Sequence, residues 1–203
     1  MASVVLKGDT SGQVTIAAAA VAGTNTITVQ AATGTMSVNT LATAVASTSG
    51  TSITFSSIPS WVKRITMVLS GVSVTGTQVM QVQLGTGGVA TTSGYAATAG
   101  VVVTANVTSV NSITTGFAFN NSGGGGATQT WSGLVNLVLL TGNTWVCSAQ
   151  VVDTTNARLG SGGGVISLAG VLDNVRLTTV GGTDTFDAGT INILWLKIGR
   201  AHV

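Results

Sequence analysis

Charge is what this sequence has least of. Only 6% of its 203 residues are charged, against roughly 25% in an average soluble domain, and glutamate is absent. The acids are Asp9, Asp153, Asp173, Asp184 and Asp187, and Cys147, His202, Pro59 and Tyr95 are each the single residue of their type. Each scarcity excludes something. One cysteine forbids an intramolecular disulfide and a cysteine-based zinc cage, and Cys147 alternates with polar neighbours in "NTWVCSAQVV", the pattern of a buried core thiol. One histidine at the far end of the chain leaves its body without a Ser-His-Asp or Cys-His arrangement and without a His-rich metal site. The longest unbroken apolar run, "IAAAAVA" (Ile16–Ala22), is far short of the ~20 residues of a spanning helix, so no membrane insertion is expected. A basic stretch followed by a long apolar stretch is missing from "MASVVLKGDTSG", so no signal peptide is expected and export would need another route.

What is present is apolar and small. Hydrophobic residues make up 44% of the chain and glycine fills 28 positions, a composition that argues against disorder and for a folded, buried core. The formal net charge is +2. It rests on Lys197 and Arg200, without which five basic residues stand against five acidic ones. No basic stripe interleaved with aromatics remains, and no nucleic-acid partner is expected.

From about residue 51 the apolar period is two, the signature of half-buried antiparallel strands. "TSITF" turns Ile53 and Phe55 inward, "RITMVL" puts Ile65, Met67 and Leu69 on one face, and "VMQVQLG" sets Met80, Val82 and Leu84 against Gln81 and Gln83. Further strands are predicted in "VVVTANVTSV", "ITTGFAF", "TWSGLVNLVLL", "TWVCSAQVV", "NVRLTTV" and "TINILWL". Between them "GTGG", "SGGGG", "TGN", "GSGGG" and "GGTD" supply turns and flexible connections. The pattern predicts an all-β fold over 51–196, an antiparallel sandwich of jelly-roll type. Residues 1–50 carry the β-prone pieces "QVTI" and "TITV" among alanines and glycines, too few large groups to bury a core alone. They are expected to form an extended anchoring or oligomerisation segment, with "LATAVAST" as one short helix before a boundary at Ser49 and Gly50.

Sites for chemistry are few. Asp184 and Asp187 in "GGTDTFDAGT" are the only acids close in sequence. They could form a carboxylate pair or a calcium loop, but in a Gly/Thr turn each is expected to bond its own backbone. The glycine runs lack the Lys-Ser/Thr of a phosphate loop. Three of the four tryptophans, Trp131, Trp145 and Trp195, fall in predicted strands as core or subunit contacts, and Trp61 follows "IPS" at the sandwich edge. Tyr95, Asn120, Asn121 and Arg158 stand in small-residue loops and are the candidates for an exposed receptor-contact tip. No catalytic residue, cofactor or metal is assigned.

"GDTSGQVTIAAAAVAGTNTITVQAATGT" resembles the N-terminal segment of phage and marine-metagenome virion proteins of the tail-fibre type. "TSITFSSIPSWVKRITMVLSGVSVTGTQVMQVQLGTGGVATTSGY" is similar to the opening of their C-terminal β-domain, and "TDTFDAGTINILW" to its last strand. The resemblance implies a non-enzymatic, homotrimeric virion appendage that acts in host adsorption, with residues 1–50 on other virion proteins and a host glycan or protein as receptor. Such a protein is made in the host cytoplasm, leaves by lysis and works on the extracellular particle. Two other readings stay open: a capsid decoration or head-fibre protein, and a secreted glycan-binding module. The resemblance stops near Trp195. There "KIGRAHV" back-translates to AAG ATC GGA AGA GCA CAC GTC, which contains the start of a common short-read sequencing adapter, so residues 197–203 are expected to be a non-native scar.

Overall fold

The computed structural model of the chain describes residues 3–7, 13–17, 39–104, 108–121 and 128–196. They fall into two compact units. The first holds an antiparallel hairpin of β1 (Ser3–Lys7) and β2 (Gln13–Ala17), in register from Ser3 opposite Ala17 to Lys7 opposite Gln13. It contains the expected "QVTI" strand; "TITV", "SGGGG" and residues 197–203 lie outside the described residues.

The second unit is an antiparallel β-sandwich, with no helix among its described residues. Its strands are β3 (Asn39–Leu41), β4 (Val45–Ala46), β5 (Ser52–Phe55), β6 (Arg64–Val74), β7 (Met80–Thr86), β8 (Val89–Ala90) and β9 (Ala96–Val103). There follow β10 (Thr108–Ile113), β11 (Phe117–Ala118), β12 (Trp131–Thr141), β13 (Thr144–Asp153), β14 (Arg158–Ser167), β15 (Asn174–Thr179) and β16 (Phe186–Leu196). The large sheet has the order β10-β9-β14-β13-β12-β6-β16-β3 with β4 also on β16, and the small sheet β11-β7-β15-β5 with β8 on β7.

Within this order lies a jelly roll. The paths β3/β4–β16–β6–β12 and β5–β15–β7–β11 are two four-stranded sheets, and the chain passes between them as two Greek keys require. The remaining long strands, the β9–β10 and β13–β14 hairpins, all add on the β12 side and widen one sheet only. The core between the sheets follows the period-two reading: Ile65, Met67 and Leu69 of β6, Val82 and Leu84 of β7 and Ile191 and Ile193 of β16 are all buried. Each such side chain contributes roughly 1.5–3 kcal/mol relative to exposure.

Four stretches depart from the sequence reading. "LATAVAST" is not a helix: Leu41 pairs with Leu194, Val45 with Ile191 and Ala46 with Thr190. Ser47 is buried, its N–H donating to Gly189 O at 2.9 Å and its hydroxyl to Ala188 O at 2.7 Å. Pairing with the last strand outweighs the local helix propensity of the alanines, and it brings residues 39–46, upstream of Ser49–Gly50, into the sandwich. "VVVTANVTSV" is not one strand but the β9–β10 hairpin. The predicted wet face of β7 is dry, because Gln81 and Gln83 lie under the turn after β10: Gln83 Nε2 donates to Thr115 O at 2.8 Å, and the Thr115 hydroxyl to Gln81 Oε1 at 2.9 Å.

"GSGGG", expected as a flexible connection, is the middle of β14, paired on both sides. Its glycines serve close packing. A Cβ on Gly162 would run into the Ala118 carbonyl oxygen, and one on Gly160 would lie 2.6 Å from Phe119 O. The segment around β11 thereby crosses the added strands at backbone distance, where the facing residues of β9, Ala97 and Ala99, are also small.

Candidate functional site

The four residues proposed as a receptor-contact tip do not form one. Tyr95 is only 3% exposed. Its hydroxyl accepts the Leu84 N–H at 2.7 Å and donates to Thr91 O at 3.2 Å, and its ring meets Phe117 edge-on at 4.9 Å. Burial pushes its phenol up to about 12. Asn120 is buried and accepts the Met80 N–H at 2.8 Å, continuing the order of β7. Asn121 is buried as well, and its Oδ1 accepts from Asn111 Nδ2 at 2.9 Å. These three tie loops to strands because a polar group out of water must find a partner, which is backbone for Tyr95 and Asn120 and the Asn111 side chain for Asn121. Arg158 alone keeps partial exposure, at the start of β14 on a shallow cleft of about 390 Å³ lined also by Val103, Asp153 and Ala157.

The four described acids and the thiol are likewise taken up in the fold. Asp153 is fully buried and closes the β13–β14 turn, accepting the N–H groups of Thr155 at 3.1 Å and Asn156 at 3.3 Å. Asp173 accepts the Gly88 N–H at 2.9 Å. The turn role expected of Asp184 and Asp187 is not what they perform. Asp184 reaches across to the Gln78 N–H at 2.8 Å and so joins the β6–β7 loop to the β15–β16 loop, and Asp187 accepts the Ser73 hydroxyl. Among the described residues no three His, Cys, Asp or Glu side chains come together as a metal site would require. Cys147 is buried as expected, and desolvation raises its thiol to about 12, far from the thiolate a nucleophile needs.

What the sandwich leaves open is an apolar surface on the outside of the large sheet. Val102, Leu159 and Val152 stand side by side across β9, β14 and β13. Val165, Val146 and Val138 make a second row across β14, β13 and β12, and Leu134 pairs with Val68 of β6. All are exposed, Leu134 at 45% and Val102 at 49%. Uncharged polar side chains fill the space between the rows: Thr98, Ser148 and Asn136, the last accepting from the Thr66 hydroxyl at 2.9 Å. At the β9–β10 end the surface dips into a groove of about 480 Å³ with Val110, Val102 and Leu159 as walls and Gly100 and Gly163 in its floor.

The sequence of β12 carries the signal for this surface. In "LVNLVLL" of β12 both phases of the alternation are apolar: Val135 and Leu137 face the core while Leu134, Val138 and Leu140 face out. Apolar residues in both phases give β12 two apolar faces, one in the core and one at the surface. No known family profile matches the chain, and no significant match to it is found among curated proteins or solved structures.

Proposed function

We propose that the chain is a non-enzymatic structural protein of a virion, a homotrimeric fibre or receptor-binding subunit that takes part in host adsorption and is carried outside the host on the particle. The observation that carries this reading is the broad uncharged apolar face on the jelly roll, a surface suited to assembly and unsuited to chemistry. The described acids and the thiol point the same way, since the acids hold strands and loops in place and the thiol is buried in the core. The resemblance of the N-terminal segment to virion appendages supplies the context.

Sedimentation velocity at micromolar concentration is expected to give a trimer, and a stable monomer overturns the reading. Labelled protein added to separated heads and tails of the parent particle is expected to bind tails through its N-terminal segment. Binding to heads would make it a capsid decoration protein instead.

A further inference from the structure

We infer that the outer face of β6, β12, β13, β14 and β9 is the contact surface between copies of this chain. This rests on the oligomeric reading above and names the surface and the occupant. Four observations carry it. The first is size. Five strands about 4.8 Å apart and 8 to 11 residues long present about 600–850 Å². A stable interface needs about 800 Å² from each partner.

The second is charge. Across the centre of the face the outward positions are Val, Leu, Ser, Thr, Gln, Asn and Gly, and the cations stand at its margins: Arg64 opposite Val138, and Arg158 in the cleft beside Val102, Val152 and Leu159. A charged partner would be stripped of water here with nothing to pair against, whereas a second copy brings a surface as free of charge as this one. The third is the absence of aromatic side chains from these positions, which removes the stacking platforms that sugar rings use.

The fourth is how the face is made. The jelly roll needs only β6 and β12 of these five strands; β9, β13 and β14 are additions that enlarge one sheet and carry most of its outward valines. Valine and leucine in the outward phase, alternating with hydroxyl and amide side chains, give a dry contact whose polar groups can bond across it.

The test compares the full-length protein with two variants. L134K/V146K places two cations in the centre of the face, at positions whose side chains already meet solvent, so circular dichroism and the melting temperature should change little. Sedimentation velocity should show the oligomer lost, with at least about a tenfold rise in the concentration needed for assembly. Q150C places a thiol on the same face. Cys147 is buried and silent, so mild oxidation should yield a disulfide-linked pair of chains, while V89C on the small-sheet side should stay unlinked. An oligomer that survives L134K/V146K, with no Q150C cross-link, overturns this surface and leaves the oligomeric reading standing. A wild-type monomer overturns both. If the lysine variant fails to fold, the cross-link decides alone.

Discussion

Tyr95 shows how a residue can look like a recognition group and be a structural one. In "TTSGYAATAG" it has only small neighbours, but its ring fills a gap beside Phe117 and its hydroxyl holds the Leu84 N–H. Tyr95→Phe is expected to keep the ring packing, orphan that N–H and cost roughly 1–3 kcal/mol in chemical denaturation. The same burial makes the fold sensitive to alkali. Tyr95 and Cys147 have folded values raised to about 12 from ordinary values of 10.0 and 9.0, so above pH 9 the folded state holds more protons than the unfolded one. Their contribution is fully present below pH 9 and is lost as pH rises toward 12. Denaturation midpoints should be flat with respect to these two groups up to pH 9 and fall above it, and Tyr95→Phe should flatten the fall. Residue type made Tyr95 a candidate; only the fold reveals that its loop turns it inward.

Among the elements, β14 was the least legible from sequence. A run of glycines carries no side-chain period, so nothing in "GSGGG" distinguishes a strand from a linker until β11 is seen to cross it. Gly162→Ala is expected to push β11 off the sheet and cost about 1–3 kcal/mol in thermal or denaturant unfolding, whereas Ser161→Ala, on the outer side of the same strand, should be near neutral. Loops show the converse. Asp184 and Gln78 link two connections more than 100 residues apart in sequence. Asp184→Ala leaves the Gln78 N–H without its partner and is expected to cost about 1 kcal/mol and to speed proteolysis of the β6–β7 loop.

At the scale of the whole molecule, the jelly roll closes only with β3 and β4. They cover the outer edge of β16, and without them a long strand would present an unpaired backbone to solvent. A chain beginning at residue 39 is expected to unfold cooperatively with little loss of stability. One beginning at residue 47 should melt at lower temperature and aggregate, readable by calorimetry and light scattering. A chain ending at residue 196 should match the full-length protein, since it keeps Phe186–Leu196 and their pairing with β6.

The fold class and most of the strands are legible in the chain's local pattern, because alternation of apolar side chains is a local property that a pleated strand converts directly into an inside and an outside. The sequence also limits the chemistry, since groups that are absent cannot be supplied by folding. Which polar residues are buried, which glycines are spacers and which sheet is widened into an apolar face emerge from long-range packing. Those outcomes depend on pairings such as Leu41 with Leu194 and Gly162 against Ala118, between residues too far apart in sequence for any local pattern to record.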